Sequence, residues 1–415
     1  MPNWTAALAA AAFLALSPAF AVERATVTGK VTDADGKPVE HATVLVYSAG
    51  VRKGYSIYCP TCWVDCGKHS ATDAEGNFRI SGLDPELVFD LLVVRDGYSS
   101  MFVRKVDPEK GPAGTAVIKL RTSPENPKQF VRGEVVDAHG RPVRDAVVEQ
   151  QGVTYRGEDG RMGTRFGGAQ DWIDSLAVTN EKGDFEIAFS KPAERMILNV
   201  QPRGMSAKLF TEDTGPDRKI MTVTDGATIR GRLVRDGKPV ANAEIGLSTH
   251  NRRSGTVLPE MRVGTKEDGT FAITNVPPGR IYYLYGRMDS LADRGLAAEL
   301  VECETKDDGQ EVDVGDVHVK PGLTLRGKVI LSDGKPIPPD MRFNLFCDRA
   351  SDSQSMVMPP DGSFEFKGLA SGVYEVQPSV RGYRLADGFT TEVLVHGDVN
   401  NLVLKLVPAP PGPPR

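Results

Sequence analysis

The sequence predicts an all-β protein of four tandem antiparallel β-sandwiches. Three observations carry the prediction: a strand pattern that recurs four times, glycine-led turns in each copy, and a composition rich in turn formers. The chain of 415 residues has 43 glycines, 29 prolines and 7% aromatic residues. Average proteins hold about 12% glycine plus proline. The excess here is typical of many short strands joined by turns.

Four glycines mark the first strand of each copy. Each has an apolar residue two positions before and after it, which is the period of a half-buried strand. The glycine shares the apolar face, where a larger side chain is not expected to fit against a crossing strand. These glycines, spaced 104, 98 and 96 residues apart, are Gly29, Gly133, Gly231 and Gly327.

Two further elements repeat with each glycine. A tight turn containing glycine and proline follows the first strand, and a later glycine turn starts a strand whose phenylalanine points inward. The inward phenylalanines are Phe78, Phe185, Phe271 and Phe364. A copy of about 100 residues is too long for a solenoid repeat and long enough for a sandwich with its own core.

The repeat divides the chain into four units. Residues 1–21 are predicted to be a secretory signal peptide, because eleven apolar residues precede an A-x-A cleavage pattern that ends at Ala21. The predicted ranges are 22–123 for unit one, 124–225 for unit two, 226–320 for unit three, 321–407 for unit four and 408–415 for a Pro-rich tail. We expect a secreted or periplasmic protein whose mature chain has no membrane span.

The charge balance narrows the choice of partners. Lys and Arg number 50 against 55 Asp and Glu, a net charge of −5. This excludes a polyanion-binding surface driven by bulk charge, so no nucleic-acid partner is expected, although local basic patches are allowed.

The repeated motif resembles the carboxypeptidase regulatory-like domain. Unit one carries the pattern V-x-G-x-V-x-D-x-x-G-x-P-V-x-x-A-x-V from Val27 to Val44, followed by T-D-x-x-G-x-F from Thr72 to Phe78. Unit four departs most, because Ile337-Pro338-Pro339 replaces the V-x-x-A stretch. The resemblance implies a prealbumin-like (transthyretin-like) sandwich, an Ig-like architecture, and the role of an accessory module in exported proteins. Related sandwiches bind carbohydrate.

A cysteine cluster lies in an insertion of unit one. Cys59, Cys62, Cys66 and His69 follow the spacing C-x2-C-x3-C-x2-H. Three thiols and an imidazole could supply four ligands to zinc or iron. A disulfide that staples an exported loop is the competing interpretation, and a redox-active dithiol is the third. Cys303 and Cys347 lie on strand-like segments of different units, where buried cysteines outside disulfides are expected.

Unit two carries a second insertion, over residues 152–175, that is rich in glycine, aromatics and arginine. Tyr155, Arg165 and Trp172 are its candidate ligand-binding residues, because aromatic rings stack on sugars and arginine hydrogen-bonds anionic groups. The alternative is a mobile surface loop whose Trp172 packs back onto its own sandwich. In unit three, the alternation of Ile281 to Tyr285 suggests that Tyr282 could face outward as a platform.

Two functional classes are compatible with these residues. No paired histidine and glutamate of a zinc carboxypeptidase and no G-x-S-x-G motif occurs, so an enzyme is not expected. The first class is a non-catalytic binding, adhesion or accessory module, with polysaccharide or another extracytoplasmic protein as partner. The alternative is a metal- or redox-handling extracytoplasmic protein that uses Cys59, Cys62 and Cys66.

Overall fold

The computed structural model describes residues 24–410, apart from 59, 62, 64, 167–175, 250–260, 348 and 351. The described chain is almost entirely β-structure, which confirms the predicted fold class of four tandem sandwiches. Its helices are one turn each: 3-10 helices at Pro108–Lys110 and Pro127–Gln129, and α1 at Met288–Ala292. No helix within these ranges has the length and hydropathy needed to cross a bilayer.

Units one and two are each built from two sheets. The strands of unit one are β1 Ala25–Thr32, β2 Thr43–Val51, β3 His69–Ala71, β4 Asn77–Leu83, β5 Leu87–Val94, β6 Met101–Val106 and β7 Thr115–Val117. Those of unit two are β8 Phe130–Val136, β9 Val147–Arg156, β10 Met162–Phe166, β11 Leu176–Val178, β12 Asp184–Ala188, β13 Arg195–Gln201, β14 Lys208–Asp213 and β15 Gly215–Thr222.

Units three and four follow the same plan. Unit three contains β16 Ala227–Arg235, β17 Lys238–Pro239, β18 Glu244–Thr249, β19 Met261–Gly264, β20 Thr270–Val276, β21 Arg280–Gly286, β22 Leu296–Ala298, β23 Val301–Thr305 and β24 Glu311–Pro321. Unit four contains β25 Leu323–Leu331, β26 Arg342–Cys347, β27 Ser353–Val357, β28 Ser363–Leu369, β29 Gly372–Ser379, β30 Tyr383–Leu385, β31 Glu392–Val395 and β32 Val399–Pro408. Every sheet takes its strands from one unit; the boundaries between units stay predictions.

The first strand of each unit lies in the middle of one sheet. It pairs antiparallel with the strand that carries the repeated phenylalanine and parallel with the last strand of the unit, as in the order β4-β1-β7. The second sheet is a four-stranded antiparallel path, β3-β2-β5-β6 in unit one. The parallel pair is a departure from a purely antiparallel sandwich. It arises because the chain crosses to the second sheet and returns before its last strand pairs with its first.

The repeated glycine allows the repeated phenylalanine to pack. A Cβ on Gly29, Gly133 or Gly327 would lie 2.6 Å from the ring of the phenylalanine on the neighbouring strand. Real Cβ atoms do not approach carbon this closely. The sequence-based expectation of a steric limit at this position is therefore confirmed, and the ring fills the space above the glycine in the core.

Replacing Gly327 with alanine should destabilise unit four by about 3 kcal/mol, at the upper end of typical overpacking costs. Besides the ring of Phe364, the added methyl group would overlap the backbone carbonyl of Leu402, which cannot rotate away. The matched control is Gly372→Ala, since a Cβ at Gly372 meets nothing within 4 Å. Urea denaturation of both variants tests this, and equal stabilities would contradict it.

The units also pack against one another. Leu45, Leu92 and Val94 of unit one form an apolar cluster with Leu176 and Val178 of unit two. At the joint between units three and four, Tyr285 and Met288 of unit three belong to the hydrophobic core of unit four. These contacts bury apolar area between units one and two and between units three and four.

Candidate functional site

The unit-one insertion, residues 52–68 between β2 and β3, is anchored at its base by Asp65. This carboxylate is 1% exposed and accepts the backbone amide of Asp84 at 2.7 Å. Its other oxygen lies 2.6 Å from the Lys68 ammonium, which also donates to the carbonyl of Gly82 at 2.5 Å. The pairing satisfies a buried charge, and it fixes the end of the insertion to the sandwich.

The first half of the insertion docks on unit four. The amide of Tyr55 donates to the carbonyl of Asp340, and the amide of Arg342 donates to the carbonyl of Tyr55, both at 3.2 Å. Gly54 precedes this pair with φ of +86°. We use the name clasp for residues 54–58 together with the unit-four residues that they contact.

Side chains complete the clasp. The ring of Tyr58 stacks on Phe346 with centroids 4.9 Å apart, and the amide group of Asn344 donates to the Ser56 hydroxyl at 3.1 Å. Arg342 forms an ion pair with Glu86 of unit one. Arg342, Asn344 and Phe346 alternate on one face of β26 and are all buried. The insertion therefore covers this face of unit four.

The structure describes two of the four predicted metal ligands, Cys66 and His69. Cys59 and Cys62 lie outside the described residues. The Cys66 thiol is in no disulfide, packs against the core of unit one and donates to the carbonyl of Pro60 at 3.5 Å. His69 is exposed on β3, with Nδ1 3.0 Å from the carbonyl of Gly67.

Burial raises the pKa of Cys66 to about 12. The neutral thiol therefore predominates at neutral pH unless a metal displaces its proton. Among the described residues, no group of three His, Cys, Asp or Glu side chains is placed to hold a metal. The site of zinc or iron over Cys59, Cys62, Cys66 and His69 stays a prediction.

The cysteines outside the insertion are buried, as expected. Cys303 lies in the core of unit three and Cys347 in the core of unit four, each 7% exposed. Burial raises the pKa of Cys303 to about 11. The two thiols therefore act as apolar core atoms of separate units.

The candidate ligand-binding residues of unit two lie on the hairpin of β9 and β10. Tyr155 is directly opposite Gly163, and the guanidinium of Arg165 lies 5.7 Å from the centre of the Tyr155 ring. The hairpin brings these two predicted residues together as a cation–π pair. Trp172, the third predicted residue, lies outside the described residues.

The other face of the hairpin carries exposed apolar side chains. Phe166 is 69% exposed and Met162 is 51% exposed, and the hydroxyls of Thr154 and Thr164 lie between them 3.1 Å apart. Met162 was not singled out from the sequence. The strict alternation of β10 could have indicated it, since Met162, Thr164 and Phe166 are two residues apart.

The prediction that Tyr282 faces outward as a binding platform is wrong. Tyr282 is 2% exposed, and its hydroxyl donates to the carbonyl of Pro277 at 2.7 Å. Tyr283 and Tyr285, on β21 with it, are buried as well. Tyr282 packs in the core of unit three, whereas Tyr285, on the opposite face of the strand, belongs to the core of unit four.

Comparison with known families adds a direct match to unit one. The model of the carboxypeptidase regulatory-like domain matches residues 26–121. Residues 26–121 form a carboxypeptidase regulatory-like domain. The regulatory-like domain thus contains the unit-one insertion, both sheets of unit one and the glycine–phenylalanine packing that recurs in the other three units.

Solved structures resemble the chain only distantly. The Bacillus anthracis TIE protein is 10% identical, with 93% of this chain and 75% of that chain covered and a TM-score of 0.20. A streptococcal ancillary pilin is 13% identical, with 68% and 99% covered and a TM-score of 0.24. The minor pilin GBS52 of Streptococcus agalactiae is 17% identical, with 46% and 100% covered and a TM-score of 0.22. At these TM-scores the likeness carries no conclusion. No curated protein matches the chain.

Proposed function

We propose that the protein is an exported, non-catalytic accessory module that binds polysaccharide through the β9–β10 hairpin of unit two. The exposed ring of Phe166, on the face of the hairpin opposite the Tyr155–Arg165 pair, is the observation that supports this most directly. Aromatic faces stack on sugar rings, and the hydroxyls of Thr154 and Thr164 on the same face as Phe166 can hydrogen-bond sugar oxygens. On the opposite face, the Arg165 guanidinium offers charged hydrogen bonds to the same polymer. Export is inferred from residues 1–21, which lie outside the described residues.

A serine–histidine contact in unit four does not have the geometry of a catalytic pair. The Ser371 hydroxyl lies 2.7 Å from Nδ1 of His396, and both groups are exposed. In serine hydrolases the serine faces Nε2 while Nδ1 is held by a buried carboxylate. Here Nδ1 faces the serine, so the geometry does not match that of a nucleophile activated by a triad. The contact favours a structural role at this turn.

Retention on an insoluble neutral polysaccharide tests the proposed function. We expect the variant with Phe166→Ala and Arg165→Ala to bind about tenfold more weakly, because stacking and charged hydrogen bonds are each worth about 1 kcal/mol or more. Trp172→Ala should weaken retention as well. The matched control is Phe389→Ala, which removes a ring 41% exposed on unit four.

The outcomes are distinct. Retention that falls in the hairpin variants and not in the control supports the proposal. Equal retention of all variants, or no retention on any of a broad panel of insoluble glycans, overturns it. Circular dichroism of each variant confirms that the sandwiches remain folded.

A further inference from the structure

A groove of about 750 Å³ lies on unit one, away from the hairpin of unit two. It runs over the sheet β4-β1-β7 beside the short strand β3 and the segment that leads into β7. Its polar lining includes Thr28, Lys30, Ser70, Asn77, Arg79 and Thr115. Two of these side chains are cationic, and neither belongs to the insertion or to the clasp.

The corresponding face of the other units is neutralised by ion pairs. The residue before the repeated glycine is an arginine in units two, three and four, and each one pairs with carboxylates on neighbouring strands. The pairs are Arg132 with Glu186 at 2.5 Å, Arg230 with Glu311 at 3.3 Å and with Asp313 at 3.5 Å, and Arg326 with Glu365 at 2.5 Å.

Unit one reverses this arrangement. Thr28 replaces the arginine, and Arg79 stands opposite it, where units two and four have a glutamate. Lys30 and Arg79 are diagonal neighbours across β1 and β4, close enough for both long side chains to reach one ligand. Within the described chain, the side chain of neither residue forms an ion pair or a hydrogen bond.

The nearest carboxylate of the groove does not neutralise these cations. Asp73 lines the groove, but its oxygens accept the backbone amides of Glu75 and Asn77 and the side-chain amide of Asn77. These hydrogen bonds hold the pKa of Asp73 below its usual range, and Lys30 contributes least among the causes. The carboxylate is thus directed into its own turn.

A second observation also points to a ligand. Ser70 lines the groove, and its hydroxyl is buried with no hydrogen-bond partner among the described residues. A buried hydroxyl without a partner carries a free-energy cost of about 1–3 kcal/mol. Rotation of the Ser70 side chain towards a ligand oxygen in the groove would supply the missing partner.

We propose that this groove binds the carboxylate of an acidic sugar, such as a uronate residue of an extracellular polysaccharide. Arg79 can donate two parallel hydrogen bonds to the carboxylate, and Lys30 adds a second positive charge. Thr28, Ser70, Asn77 and Thr115 are hydrogen-bonding partners for ring hydroxyls. The site extends the proposed polysaccharide binding to a second place on the molecule and to an acidic ligand. The net charge of −5 does not oppose it, because the pair of cations is local.

Calorimetric titration of the full chain with polygalacturonate oligosaccharides tests the groove. Arg79→Gln and Lys30→Gln should each weaken binding about tenfold, the loss of one charged hydrogen-bonding partner. Arg230→Gln is the matched control, since it removes one positive charge from the corresponding face of unit three. We expect it to bind as the unchanged protein does, and a neutral dextran oligosaccharide to show no binding at the groove.

Each outcome decides the proposal. Equal affinities of Arg79→Gln and Arg230→Gln, or binding of polygalacturonate no tighter than that of dextran, overturns the acidic-sugar site. If the hairpin variants of unit two still lose retention on neutral polysaccharide in that case, only the groove has failed and the proposed function stands. If polygalacturonate binding depends on Arg79 while the hairpin variants retain neutral polysaccharide normally, the groove stands without the hairpin.

Discussion

Gly54→Ala should detach the unit-one insertion from unit four. Gly54 has φ of +86°, a conformation that costs an alanine about 1–2 kcal/mol. Its added Cβ would also overlap the backbone carbonyl of Asp340, which accepts the Tyr55 amide. Because the overlap is with backbone, side-chain rotation cannot relieve it. The clasp contact should therefore lose several kcal/mol of its stabilising free energy in total.

Hydrogen exchange measures this loss at defined amides. The amides of Tyr55, Ile57 and Arg342 each donate across the clasp at 3.2 Å and should exchange at least about tenfold faster in Gly54→Ala. Gly67→Ala is the control: Gly67 has the same φ of +86° in the same insertion, and a Cβ there meets nothing within 4 Å. Unchanged exchange in Gly54→Ala, or equal acceleration in the control, would contradict the prediction.

Arg287→Met should destabilise the joint between units three and four by about 3–5 kcal/mol at pH 8, the usual cost of breaking a buried ion pair. Arg287 is 6% exposed, and its guanidinium lies 3.5 Å from the carboxylate of Asp352. That carboxylate, 5% exposed, also accepts the amide of Met288 at 2.6 Å. Without the arginine, a buried negative charge loses its nearest cation.

The sign of the pH dependence follows from the pKa of Asp352. Burial raises this pKa from 3.8 to about 6, and Arg287 opposes the rise. A carboxyl whose pKa is raised on folding contributes stability below about pH 4, and this contribution is lost as the pH rises through about 6. Removing Arg287 raises the pKa of Asp352 further and enlarges the loss of stability at higher pH. The variant should therefore approach the unchanged protein in stability at pH 4 and fall furthest behind at pH 8.

Urea denaturation at pH 4 and pH 8 provides the measurement. The double variant Arg287→Met, Asp352→Asn should recover much of the loss at pH 8, since the buried charge is gone. Arg384→Met is the control, because its partner Asp387 is 90% exposed and such pairs contribute less than about 1 kcal/mol. A penalty for Arg287→Met that is the same at both pH values would refute this account of the joint.

The fold was predictable because it rests on local patterns that occur four times. Alternation around Gly29 and its three equivalents defines the first strand, and the inward Phe78 defines the strand beside it. Each pattern needs only neighbouring residues and the period of a strand. The parallel pairing of the last strand with the first was not predictable in this way, because strand direction within a sheet depends on the path between them.

Contacts between units are the part that the sequence did not reveal. Tyr285 lies on the face of β21 that a lone sandwich would leave exposed, yet unit four covers this face. Asn344 has a polar side chain at a position that pairing with Ser56 buries. Asn344 and its partner are 288 positions apart, and Tyr285 packs into a different unit. Period-two patterns carry no information about such contacts. Pairs such as Tyr155 and Arg165 were within reach because they lie on one hairpin.

The clasp also limits the order in which parts of the protein can fold. Ser56 and its partner Asn344 are 288 residues apart, so a chain synthesised from its amino terminus presents Tyr58 long before Phe346 exists. Closing so large a loop comes late, because the entropy of bringing distant segments together must be overcome first. Until then both aromatic rings are exposed to other molecules, and this interval is when a nascent chain is most open to association with chaperones or to aggregation.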